Sequence, residues 1–248
     1  MKRHIPNFIT SLNLAAGFIS IVFAFNGQLV TASWLILAAM VFDFLDGFSA
    51  RLLKAYSDIG KELDSLADVV SFGVAPALIL YQLITGSPSS TMPLFTDGLV
   101  IKNLALQLIP VIMPVCAALR LARFNIDTTQ TTSFKGVPTP ANALAVISIV
   151  LADNYSDSAV LASFTGSTTA LLIFTVIISL LMVTRIPLLS LKTSHMKFKG
   201  NEGRYVLITA VILALAIFGF AGASLVIPLY IIVSLVSPFF GKSLIVNR

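Results

Sequence analysis

Charge is scarce in this sequence. Only 11% of its 248 residues are Asp, Glu, Lys or Arg, while 57% are hydrophobic and the mean hydropathy is +0.95. An ordinary soluble domain has about a quarter of its residues charged, so a soluble globular fold is excluded. Cysteine occurs once, at Cys116, which rules out an intrachain disulfide. Its apolar surroundings read as core packing. Histidine occurs twice, and neither His4 nor His195 has a partner at metal-ligand spacing. Internal repeats and low-complexity tracts are missing. The longest polar stretches, 85–103, 125–140 and 184–204, are too short to form a soluble domain.

What the sequence does have is apolar runs: 8–25, 30–42, 69–84, 104–119, 141–151, 170–183, 206–220 and 225–240. A helix needs about 20 mostly apolar residues to cross a bilayer. The runs predict an all-α, polytopic membrane bundle of about eight transmembrane helices. Gly222 marks a tight outer turn between the last two. With the N-terminus inside and the spans alternating, every one of the 16 basic residues except Lys102 falls on the inner side. That is a strong positive-inside bias. The pI near 9.5 then reflects membrane topology and anionic lipid, and no nucleic-acid partner is expected. The expected organisation is one membrane-embedded domain over 1–248, with core helices in 1–185 and two additional C-terminal helices in 204–240.

One stretch resists a purely structural explanation. Residues 43–68 read DFLDGFSARLLKAYSDIGKELDSLAD. Asp43 and Asp46 are spaced i, i+3, and Asp64 and Asp68 are spaced i, i+4, so each pair shares a helix face. In an antiparallel hairpin Asp43 and Asp68 each lie eight residues from the turn, roughly 12 Å at about 1.5 Å per residue. Four carboxylates then gather just inside the cytoplasmic face. Acids within apolar helices are expensive and mark function. Bare, they would repel; oxygen ligands without His or Cys suit a hard divalent cation, Mg²⁺ or Mn²⁺. Gly47 and Gly60 leave room for a bulky ligand, and Arg51, one turn past Gly47, is placed to meet phosphate oxygens. A polar hairpin end accounts for Lys54, Tyr56, Asp58, Lys61 and Glu62, but not for the embedded acids. A cation transporter would also bury acids, but it has no need of a glycine and arginine frame and places its acids nearer the midplane. A scaffolding role conflicts with the cost of the carboxylates.

The pattern D-x-x-D-G-x-x-A-R-x8-G-x-x-x-D-x-x-x-D, complete here at Asp43, Asp46, Gly47, Ala50, Arg51, Gly60, Asp64 and Asp68, resembles the signature of the CDP-alcohol phosphotransferase family. The resemblance implies an integral membrane transferase. An alcohol attacks the lipid-linked phosphate of a CDP-activated donor, and CMP leaves. It further implies that Asp43, Asp46, Asp64 and Asp68 hold one or two metal ions and that Asp68 is the base. Gly47, Arg51, Ser57 and Gly60 would line the cytidine diphosphate pocket.

The N-terminal IPNFITSLN places Asn7, Thr10 and Asn13 at the cytoplasmic start of the first helix. Family members open with a similar P-N-x-x-T element, which adds Asn7 and Thr10 to the nucleotide site. The strings ALRLARFN and FKGVPTPANA look like the phosphatidylserine synthase branch. They imply serine as acceptor and CDP-diacylglycerol as donor, with Arg120, Arg123 and Lys135 as candidates for holding a lipid phosphate or the serine carboxylate. Glycerol 3-phosphate and inositol phosphate are the rival acceptors. The resemblance also implies a homodimer in a prokaryotic inner membrane, with its active site facing the cytoplasm.

Overall fold

The computed structural model describes residues 4–86, 105–126, 134–189 and 201–240. The chain opens with α1 (His4–Phe25), which turns at Gly27 (φ 74°) into α2 (Leu29–Leu53). Lys54, in the left-handed conformation at φ 50°, closes α2 by turning its N–H onto Ala50 O and Arg51 O. Then α3 (Asp58–Asp68) runs through a π-helical turn, Val69–Val74, into α4 (Ala75–Gly86). After a 3₁₀ turn at Ile109–Val111 comes α5 (Ile112–Ile126). A short strand, β1 (Phe134–Lys135), precedes α6 (Thr139–Tyr155); α7 (Ala159–Thr165) and α8 (Thr168–Val183) lead to β2 (Pro187–Leu188), which pairs antiparallel with β1. The chain finishes with α9 (Glu202–Phe218), a 3₁₀ turn at Gly219–Leu225, and α10 (Val226–Phe240).

The architecture is the all-α, multi-pass bundle expected. Among the described residues, five helical stretches are long and apolar enough to cross a membrane: His4–Phe25, Leu29–Leu53, Asp58–Gly86, Ala105–Ile126 and Glu202–Ser237. The pair α7–α8, bent by 82° at its break, adds a sixth if taken as one span. The expected count of eight is not reached on this measure, for two reasons. The run 141–151 falls in α6, which has 17 residues, fewer than the roughly 20 that a span needs. The stretch 202–237 counts once by length although it reverses at Gly219 (φ 56°) into two helices, α9 and α10, that pack on each other with Gly203 against Ser237. Gly222 sits in that reversal, as expected: a Cβ there would lie 2.4 Å from Ala214 O. Lys102, the one basic residue expected outside, lies beyond the described residues.

At the centre stands α6. It packs against α2, α4, α8, α10 and the 219–225 turn. Its residues Ala143, Ala145, Val146, Ile147, Ala152 and Ser148 are all buried. Small side chains let several helices approach one axis, the usual solution where lipid supplies no hydrophobic contrast. Elsewhere Phe8, Phe18, Phe44, Ile208 and Ile217 point outward, as lipid-facing positions do. The entry to α6 is pinned by hydrogen bonds from Gly136 N to Ile186 O (3.0 Å) and from Val137 N to Leu181 O (3.1 Å).

Candidate active site

The acids meet where α2 and α3, each packed on α1, bring their carboxylates together. Asp43, Asp64 and Asp68 each offer a carboxylate oxygen, and these three oxygens lie within 4.8 Å of one another. Asp46 stands beside them, near enough to act on Asp43 electrostatically, but outside that group of three. The expected cluster of four is therefore three and a neighbour. Asp68 and Asp46 are the deepest, only 7% and 6% exposed.

A third wall comes from α1, along the stripe Asn7, Thr10, Asn13 and Gly17. Steps of three, three and four keep these residues on one helix face. Asn7 Oδ1 approaches Gly60 so closely that a Cβ there would lie 2.8 Å away. Thr10, which donates to Pro6 O at 3.0 Å, faces Asp46. Asn13 is wholly buried and donates from Nδ2 to Asp68 Oδ1 at 3.5 Å. Its backbone O accepts from Ser71 Oγ at 3.0 Å, and Gly17 lets the π-helical turn sit directly on α1. That turn thus seats the far end of the acid-bearing helix. Sequence reasoning put Asn13 at a polar helix start but gave it no partner. The signal was the three-residue spacing, which cannot say which helix the stripe meets.

The other predicted residues divide into groups. Gly47 opens onto free space, with nothing within 4 Å of where a Cβ would be. Asn7, Ser57 and Gly60 come together at the start of α3. Ser57 is the N-cap there, its Oγ accepting from Gly60 N at 3.0 Å, so part of its capacity is committed to holding the helix. Arg51 is exposed in the last turn of α2. Arg120 is half-buried on α5, with Asp68 acting on it electrostatically and with Nε buried without a hydrogen-bond partner. Arg123 faces away: it is exposed and donates to Val183 O at 3.4 Å. Lys135 lies in β1. The inner end of α5 is tied to α3 by Lys61 Nζ on Asn125 O (3.1 Å) and Asn125 Nδ2 on Ser65 Oγ (2.9 Å).

The donor set fits a divalent cation. It is all oxygen, it comes from two facing helices, and Asp46 Oδ2 and Asp64 Oδ1 are buried without hydrogen-bond partners. Buried carboxylate oxygens with no hydrogen-bond donor have the capacity to take a hard cation.

This arrangement agrees with what comparison to known proteins finds. A family model described as CDP-alcohol phosphatidyltransferase matches residues 3–183. The chain belongs to this family. Several relatives share most of its length. A Helicobacter pylori (strain J99) protein named CDP-diacylglycerol–serine O-phosphatidyltransferase is 36% identical over 206 residues, covering 82% of this chain and 77% of its own. A Mycobacterium leprae protein of the same name is 38% identical over 196 residues, 76% of this chain and 59% of its own. An archaetidylserine synthase of Methanothermobacter thermautotrophicus is 34% identical over 155 residues, 62% of this chain and 60% of its own. All the acids and the whole α1 stripe lie inside the family match.

Proposed function

We propose that this enzyme transfers a phosphatidyl group from CDP-diacylglycerol to L-serine, releasing CMP. The convergence of Asp43, Asp64 and Asp68 beside the α1 stripe carries the chemistry. The names of the relatives carry the choice of acceptor.

In this reading the cytidine diphosphate lies over the open side of Gly47, with Arg51 on its phosphates and the Asn7, Thr10, Ser57 and Gly60 corner around the nucleotide. Asp43, Asp46, Asp64 and Asp68 hold divalent metal, Mg²⁺ or Mn²⁺. When bound, the ion supplies positive charge against the pyrophosphate and the departing CMP. The serine hydroxyl attacks the lipid-linked phosphorus. A new oxygen–phosphorus bond forms, the bond to CMP breaks, and the hydroxyl proton passes to the Asp68 carboxylate. Asn13 holds Asp68 in place for that transfer. Arg120 meets the serine carboxylate; Arg123 and Lys135 are weaker candidates for a lipid phosphate.

The catalytic core is taken as 1–185, with 204–240 as appended helices of the same domain. The basic residues Arg51, Lys54, Lys61, Arg120 and Arg123 cluster near the acids' end of the bundle, which supports an active site facing the cytoplasm of a prokaryotic inner membrane. A cysteine placed at the exposed Tyr56 should label from that side alone. The resemblance adds a homodimer, which cross-linking in native membranes would test.

Acceptor competition decides the function. Membranes holding the protein, CDP-diacylglycerol and Mn²⁺ or Mg²⁺ should release CMP when serine is added, and chelation should stop it. Release with glycerol 3-phosphate or inositol phosphate but not with serine would overturn the acceptor assignment.

A further inference from the structure

Four elements pack in a closed ring beside the acids. The turn at Val69–Val74 packs on α5 and on α6, and α8 packs on both of those helices. Asp68 directly precedes the turn, so a buried acid of the site stands at the edge of the ring.

Contacts around the ring fix the heights of the side chains within it. Asn125 Nδ2 meets Ser65 Oγ at 2.9 Å, and a Cβ on Gly73 would lie 3.1 Å from Ala117 Cβ. Arg120 lies between these two contacts on α5, and Asp68 lies between them on the facing helix, within about one turn of the same height. Arg123 Nη1 donates to Val183 O at 3.4 Å, and about one turn back from each stand Arg120 and Ser179. Val137 N donates to Leu181 O at 3.1 Å. From that bond α6 and α8 enter the bundle side by side, which sets Thr139 at the height of Ser179. Asn142, one turn along α6, shares the face of Thr139.

These side chains have one property in common. Thr139, Asn142 and Ser179 are wholly buried. Among the described residues, Thr139 Oγ1, both amide atoms of Asn142 and Ser179 Oγ have no hydrogen-bond partner, and neither has the buried Nε of Arg120. Buried polar groups are nearly always paired, so such a gathering from three helices calls for a polar ligand. The set defines its charge. One guanidinium matches one carboxylate. The remaining groups are neutral and offer acceptor oxygens. A zwitterion fits them. An alcohol bearing a phosphate brings about two negative charges, more than a single arginine balances.

We propose that Thr139, Asn142 and Ser179 bind the ammonium group of the acceptor, with its carboxylate on Arg120 and its hydroxyl turned toward Asp68. This rests on the reading, given above, that serine is the acceptor, and it adds the residues that select an amino acid. The three N–H donors of an ammonium match the three side-chain oxygens.

The test uses the full chain in membranes, with CMP release measured against serine and CDP-diacylglycerol separately. Asn142→Leu and Thr139→Val nearly keep the side-chain volume and remove the oxygen. Each should raise the serine KM about tenfold, the effect of one hydrogen bond to a charged group, and leave the KM for the CDP-lipid unchanged. Thr139→Ser, which keeps the hydroxyl, should keep the wild-type serine KM. 3-Hydroxypropionate, which is serine without its amino group, serves as a competitor. Its inhibition constant should be the same in both variants as in the wild type, since it has no ammonium to lose. A serine KM unchanged in both variants overturns the inference. So does an inhibition constant that weakens in step with the serine KM, as that marks lost packing and not a lost ammonium contact. If the wild type releases CMP with glycerol 3-phosphate but not with serine, the acceptor reading itself has failed, and the inference fails with it.

Discussion

Asn13 on α1 donates its amide hydrogen to Asp68 on α3 at 3.5 Å, across 55 residues of chain, while wholly buried. This contact couples the first helix to the carboxylate proposed to take the proton. The two side chains are locked from both ends, since Ser71, three residues past Asp68, bonds back to the backbone of Asn13.

Asn13→Ala should therefore lower kcat by about 10- to 100-fold. A hydrogen bond to a charged group is worth about 1.5–3 kcal/mol, and each 1.36 kcal/mol is a factor of ten in rate. The KM for CDP-diacylglycerol should change little. Steady-state CMP release checks both numbers; a kcat equal to that of the wild type would remove Asn13 from the site.

Asp68→Asn should abolish turnover, by at least about 10² to 10⁴, the range for loss of a general base. Donor binding should survive largely intact, because Asp43, Asp46 and Asp64 remain. Equilibrium binding of the CDP-lipid, measured beside turnover, separates the two effects. An active Asp68→Asn enzyme refutes the base assignment.

The two motif glycines should shift the melting temperature in opposite directions. Gly47 lies inside α2 with open space where a side chain would be, so Gly47→Ala should raise the melting temperature slightly, alanine being favoured in a helix by about 1 kcal/mol. It should nonetheless raise the KM for the CDP-lipid, because the methyl enters the donor's space. Gly60→Ala instead meets Asn7 Oδ1 at 2.8 Å and Ser57 Oγ at 2.9 Å. It disturbs the helix cap, worth about 0.5–2 kcal/mol, and should lower both melting temperature and donor affinity. Thermal unfolding in detergent beside donor kinetics checks the pair.

Gly17→Ala is a packing prediction. The new Cβ would lie 2.2 Å from Ser71 Oγ and 2.7 Å from Ser71 Cα, and backbone cannot swing aside as a side-chain tip can. Overpacking of this kind costs about 1–3 kcal/mol, more than the gain in helix propensity. The variant should melt lower and lose activity as α1 and the π-helical turn move apart. A melting temperature at or above that of the wild type would contradict the contact.

Much of this was legible in the residues. Hydropathy gave the membrane bundle, and the spacing of Asp43, Asp64 and Asp68 foretold that facing helices would bring them together. Asp46 was legible as a buried acid but not as the one set beside the other three, since i, i+3 spacing leaves a rotation of tens of degrees between neighbours on a face. Arg120 and Arg123 looked equivalent at the same spacing, yet one faces Asp68 and the other the end of α8. Their separation depends on where α8 ends, which no local pattern on α5 records. Whether α6 is a full span was not legible, because burial by protein on all sides gives the same apolar composition as burial in lipid.

The π-helical turn at Val69–Val74 sets a phase. It accommodates one residue more than an α-helical turn would, so Asp64 and Asp68 can face α2 while α4, beyond it, presents its own packing face to the bundle core. Removing a single residue from 69–74 would turn everything after it by about 100°. The acids and the α4 core contacts could then no longer both be satisfied, and the chain would have to give up one of them.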